Sequence, residues 1–151
     1  MIREIEARFW EKVDWDLNSP DRCWPWTASK MHRGYGQFRL VDTNGKQCVA
    51  RAHRLAYELE FGPIPAVDAA GEEVHIDHTC HDPTVCDAGD SCPHRACCNP
   101  AHLKLASNRE NHLPGRVNGR TGGLASAARL TAEERKTRSR LALAARWADC
   151  R

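Results

Sequence analysis

IDHTC (residues 76–80), CCNPAHL (residues 97–103) and ASNREN (residues 106–111) decide how this chain is read. In order, they supply Asp77, His78, Cys80, Cys97, His102 and Asn111. Two metal chemistries are interleaved there. Cys80, Cys97 and His102 are the soft sulfur and nitrogen donors that zinc takes in tetrahedral structural sites. Asp77 and Asn111 are hard oxygen donors suited to magnesium or manganese. His78 lies beside that hard pair, and an imidazole with a near-neutral pKa is a natural general base. A zinc knuckle that only stapled the fold would have no use for the second set.

Zinc needs a fourth donor. Cys23, in CWPW (residues 23–26), fills that place and would tie the N-terminal segment to the knuckle. The competing reading leaves Cys80 and Cys97 as ordinary buried thiols. Between them lie His81, Cys86, Cys92 and His94, which could form a second zinc site and so order a polar loop. A Cys86–Cys92 disulfide or an unstructured insertion are the alternatives. Cys98 could replace its neighbour Cys97 as a ligand. Cys48 and Cys150 read as bystanders.

Outward from this core, Glu73–His78 reads as a short strand that delivers His78 to its end. Residues 99–112 read as a turn and a short helix carrying Asn108 and Asn111. Ala52–Phe61 (AHRLAYELEF) has helical spacing, with Leu55, Ala56 and Leu59 facing inward, and Gly62-Pro63 stops it. Cys23–Ser29 and Gly34–Val41 read as strands, and Asn44-Gly45 predicts a hairpin returning over Lys46–Ala50. Ile2–Val13 is a further helical stretch. Pro114–Gly123 reads as a flexible basic linker. Thr131–Trp147 is a strong helix with Thr131 as its N-cap and Glu133 and Glu134 in the first turn.

Composition narrows the function classes. The chain has 151 residues, enough for one domain, or one domain and a tail. Three Phe, five Trp and two Tyr make for a small core, and small cores often lean on metals or disulfides. Eight Cys would suit a secreted disulfide scaffold. The opening MIREIEARFWEKV is charged throughout, however, so no secretory signal is expected and a cytoplasmic setting is. No stretch is apolar enough to predict a membrane span. The net charge of +2 hides an asymmetry. From Leu113 onward nine basic residues face three acids, leaving a mildly acidic body with a basic arm. That layout suits nucleic acid, or equally a solvated tail.

The array His78-x-Cys80, Cys97-x-Asn99-Pro100-x-His102-Leu103 and Asn111 resembles the HNH nucleases. More narrowly, it resembles the zinc-stapled branch that includes the His-Cys box homing endonucleases. CWPWTAS, GYGQF and AHRLAYEL are similar to stretches of phage-type HNH endonucleases. The resemblance spans roughly residues 8–113. It implies an α+β protein built on a small ββα-metal (His-Me finger) core, with N-terminal strands and a helical C-terminal tail. The division would be a nuclease domain with a zinc-binding loop (1–113), a linker (114–123) and a basic helical tail (124–151). It implies a metal-dependent endonuclease acting on double-stranded DNA in a bacterial cytoplasm. His78 would be the general base, Asp77 and Asn111 would hold Mg2+ or Mn2+, and Zn2+ would be structural. Asn99 lies nearest the family's middle Asn. The chain departs from the pattern in its longer Cys-to-Cys loop and in ending on Asn rather than His.

For DNA contacts the candidates are Arg39, Arg51, Arg54, Arg116 and Arg120. Gln37 and Arg39 would share one strand face, with glycine letting the backbone approach DNA closely. Arg51 or Arg54 would support a phosphate, or simply pair with Glu58 or Glu60 on the surface. The last helix would bind DNA or form a homodimer through Leu141, Leu143, Ala144 and Trp147. The alternatives to an enzyme are a non-catalytic zinc-stabilised DNA-binding module and a secreted disulfide protein.

Overall fold

Helix α2 (Ala52–Phe61) is the element on which the rest packs. Its apolar positions at Ala52, Leu55, Ala56 and Leu59 are buried, the pattern that helical spacing dictates. Arg51 enters it in extended conformation, and Gly62 ends it at φ 99°, with its amide donating to the Glu58 carbonyl. The computed structural model describes residues 2–82, 85–86, 92–107, 110 and 131–147. Asn108, Asn111, Arg116, Arg120 and Cys150, the linker at 114–123 and the start of the tail lie outside them.

Before α2 come α1 (Ile2–Trp10) and a hairpin of β1 (Gln37–Val41) and β2 (Gln47–Arg51). Asn44-Gly45 makes the turn: Gly45 sits at φ 78°, and Asp42 Oδ1 accepts the amides of Asn44 and Lys46. Phe38 and Leu40 point inward, while Arg39 and Val41 point to solvent. Phe38 meets Phe9 of α1 edge-on at 5.6 Å, and Trp26 at 6.0 Å. After α2, β3 (Val74–His78) pairs antiparallel with β4 (Leu103–Ser107), His78 opposite Leu103 and Asp77 opposite Lys104. The last helix, α3 (Ala132–Trp147), packs on α2 and α1. Thr131 and Glu134 close a reciprocal capping box at its start. The result is a small mixed α/β molecule with two separate two-stranded sheets.

Several expectations are corrected. Cys23–Ser29 is not a strand; it makes single bridges, Trp26 to Val13 and Pro25 to Cys97. Pro25 has no amide to give a ladder. The turn expected after residue 99 is a 3-10 turn over Pro100–His102, and an unexpected strand, β4, follows it; Glu110 is helical, while Asn108 and Asn111, expected on that helix, lie outside the described residues. Gly36 is buried. A Cβ there would lie 2.6 Å from Trp26 Cγ and 2.8 Å from Ala52 Cβ, so the missing side chain makes room for the core. Leu141 and Leu143 do not share a face, for Leu143 is in the core and Leu141 is exposed. Glu58 is not on the surface but fully buried.

Candidate metal centres and the His78 site

The β3–β4 hairpin brings Cys80 and His102 together. Cys80 leaves the end of β3 and His102 precedes β4; the Thr79 amide donates to the His102 carbonyl at 2.8 Å. Cys97 arrives from the other side. The segment Trp24–Trp26 runs along Ala96–Cys98, with Trp26 N donating to Ala96 O and Cys98 N to Trp24 O, both at 2.8 Å. That pairing lays Cys23 beside Cys97. Asn99 locks it: its Nδ2 donates to the carbonyls of Pro20 and Arg22 at 2.8 and 2.7 Å, and its Oδ1 caps the 3-10 turn at Ala101. Asn99 is therefore a buried brace for the Cys23 loop.

The donor atoms of Cys23, Cys80, Cys97 and His102 all lie within 4.8 Å of one another. His102 Nδ1 is 3.6 Å from both Cys23 Sγ and Cys97 Sγ. A zinc tetrahedron with ordinary Zn–S and Zn–N lengths has S···N edges of about 3.6 Å. Protonation fits the same reading. A hydrogen bond from Cys80 pulls Cys97 down to about 4, and that same bond pushes Cys80 far above the usual thiol range. Burial pushes Cys23 up to about 11. Three thiols crowded round one point cannot all ionise without a cation there, and a dication removes the conflict.

A second cluster begins one residue on. His81, Cys86, Cys92 and His94 also place their donor atoms within 4.8 Å of one another. His81 Nδ1 is 3.3 Å from Cys92 Sγ, and His94 Nδ1 is 3.3 Å from the Sγ atoms of both Cys86 and Cys92. Cys86 and Cys92 are free thiols, not a disulfide. Cys98 joins neither cluster; it is buried with its Sγ toward the Ala96 carbonyl. Cys48, expected to be a bystander, takes part in a disulfide.

His78 closes β3 with its ring turned inward and only 7 % exposed. Its Nε2 is 3.1 Å from the Cys97 carbonyl. A carbonyl only accepts, so Nε2 carries the proton of the neutral ring and Nδ1 keeps the lone pair. Burial lowers its pKa, only partly opposed by Cys97 and Asp77. The His53 ring lies 4.8 Å away and that of Tyr35 6.2 Å. Asp77, the next residue back, projects to the other face of β3 and pairs with Lys104 at 3.6 Å. Arg39 stands on the outer face of β1, Arg51 ends β2, and Arg54 is half-buried in the first turn of α2. Sequence reasoning passed over His53 and Arg95. His53 is buried, with burial holding its pKa well below the usual value, and Arg95 stands over the Tyr35 ring.

Fold and site together define a small mixed α/β module carrying two Cys/His clusters whose donors could hold zinc. No family model, no curated protein and no solved structure matches the chain. Among the described residues no helix is long and apolar enough to cross a membrane.

Proposed function

We propose that this chain is a metal-dependent DNA endonuclease of HNH type, with His78 as general base and Asp77 and Asn111 as ligands of a Mg2+ or Mn2+ ion. The observation that carries this reading is the His78–Cys97 link. An imidazole at a strand end has one nitrogen fixed on the backbone carbonyl of Cys97, which leaves Nδ1 to take a proton. The carbonyl that orients the ring belongs to Cys97, itself a member of the first cluster. Zinc at that cluster would thus steady the carbonyl that selects the tautomer of the base. When bound, the divalent ion would supply charge stabilisation at the scissile phosphate. Nearby guanidiniums would hold the substrate backbone.

A second reading, a zinc-stabilised DNA-binding module without catalysis, draws support from two observations. His78 is largely buried, and Asp77 already has a cation partner in Lys104. One experiment divides the readings. Purified protein is incubated with supercoiled plasmid and magnesium, beside His78→Ala. The nuclease reading expects nicking by the wild type and none by the variant, with bound zinc and DNA affinity retained by both. Cleavage by His78→Ala at the wild-type rate would remove His78 from the mechanism. No cleavage by either, with DNA still bound, would favour the module.

A further inference from the structure

We propose that Tyr35, Arg51 and Arg95 form a clamp for one phosphodiester of a DNA backbone beside His78, and that the second Cys/His cluster holds Arg95 in it. For its ligand the clamp rests on the nuclease reading; its geometry stands apart from that reading. Three segments distant in sequence meet here. Tyr35 precedes β1, Arg51 ends β2, and Arg95 lies in the 3-10 turn Pro93–Ala96 between the two clusters. The guanidinium carbon of Arg51 is 5.6 Å from the Tyr35 ring centroid, and that of Arg95 is 5.3 Å from it. The same ring is 6.2 Å from that of His78.

Gathering two guanidiniums at one aromatic ring brings two positive charges to one neighbourhood, an arrangement that favours an anion. Each guanidinium presents a planar fork of donors that matches phosphate oxygens. Arg51 is exposed and has no ion pair among the described residues. With two guanidiniums and, at 5.0 Å, the His53 ring against it, the Tyr35 ring is shared among protein groups rather than open to a stacking base. The clamp therefore suits backbone rather than bases.

The second cluster explains how Arg95 is aimed. Arg95 follows His94 directly, and its amide donates to the carbonyl of Cys92 at 3.1 Å. Cys92 and His94 belong to the second cluster, and Cys97, two residues on, to the first. Both ends of the short turn are thus tied by candidate metal ligands. An ion held by His81, Cys86, Cys92 and His94 would fix the backbone from which the Arg95 side chain extends.

The test is binding of a fluorescein-labelled duplex oligonucleotide to the full chain without added magnesium, followed by anisotropy across a salt series. Arg51→Ala and Arg95→Ala should each weaken binding several-fold and flatten the salt slope by about 1. Arg95→Lys should restore part of the affinity. Cys86→Ser, with thermal unfolding and bound zinc measured alongside, should lose affinity to the extent that Arg95→Ala does. Unchanged affinity in Arg95→Ala and Arg51→Ala, or a wild type that binds no duplex, overturns the clamp. Wild-type affinity in a folded Cys86→Ser that has lost one zinc overturns the role of the second cluster. Plasmid nicking run in parallel separates the two ideas. Affinity lost in the arginine variants of a protein that never nicks leaves the clamp standing and sinks the nuclease; nicking with unaltered affinity does the reverse.

Discussion

Two buried residues show how single positions bear on the fold. Gly36 has the Trp26 ring and the Ala52 methyl within 3 Å of where a Cβ would sit. Both neighbours are fully buried, so neither has free space to move into. Gly36→Ala should therefore cost about 1–3 kcal/mol by overpacking, read as a lower midpoint in urea. A midpoint equal to the wild type would show that Trp26 can shift. His53 is the second case. Its buried Nδ1 has no hydrogen-bond partner among the described residues, a cost of about 1–3 kcal/mol. Burial, then the neighbouring His78 and Arg51, keep the folded ring neutral well below the ordinary 6.5. The unfolded chain takes up a proton there at about pH 6.5. As pH falls through that value, the unfolded state gains a proton that the folded state refuses, and stability drops. Histidine ligands of a metal push the same way, so the informative quantity is the difference from His53→Gln. Between about pH 7 and 5.5 that variant should lose stability less steeply than the wild type in chemical denaturation. Parallel curves would acquit His53.

At the scale of elements, the last helix is part of the body and not an appended arm. Leu143 is buried in the common core, and Arg140 reaches Glu6 of α1 at 3.1 Å. Leu143→Ala should cost about 2–4 kcal/mol, because a well-packed site collapses only partly after truncation. The checking measurement is thermal unfolding followed by tryptophan fluorescence, and a loss under about 0.5 kcal/mol, the scale of a surface change, would mean α3 docks loosely. Deleting the tail to probe DNA binding would thus also damage the fold. The elements legible in the sequence were those with strong periodicity. α2 was read to its observed ends because its apolar positions recur at helical spacing and Gly62-Pro63 stops it. The Asn44-Gly45 turn fixed the first hairpin. β4 was missed because LKLAS is short and follows a turn that reads as a helix start. CWPWTAS looked like a strand by composition, but its partner is the irregular backbone of the Cys97 knuckle. The two Cys/His clusters were legible because cysteine and histidine are chemically selective. The Tyr35–Arg51–Arg95 group was not, since only the folded chain brings those three positions together.

For the whole molecule, the two clusters should differ in what they hold. The first joins Cys23 to His102 across 79 positions and pins three segments: the N-terminal loop, the end of β3 and the start of β4. Structural zinc binds with about 10–16 kcal/mol, while a domain has a net stability of about 5–15 kcal/mol. Losing an ion from the first cluster would remove as much as the fold has in reserve. Cys97→Ala should therefore fail to unfold cooperatively and should expose tryptophans to water. The second cluster closes only the span from His81 to His94, so its loss is confined to that loop and to what the loop carries. Cys86→Ser should keep a cooperative transition and a native-like near-UV spectrum. Native mass spectrometry should count two zinc ions on the wild type, one on Cys86→Ser, and none held stably by Cys97→Ala. A Cys97→Ala protein that is soluble, metal-free and cooperative would mean that the aromatic core around Phe9, Trp26 and Phe38 suffices without the knuckle. The opposite outcome would tie His78 to the first cluster: the carbonyl that fixes the proton on its Nε2 belongs to Cys97, so an ion held there would steady the backbone that orients the ring.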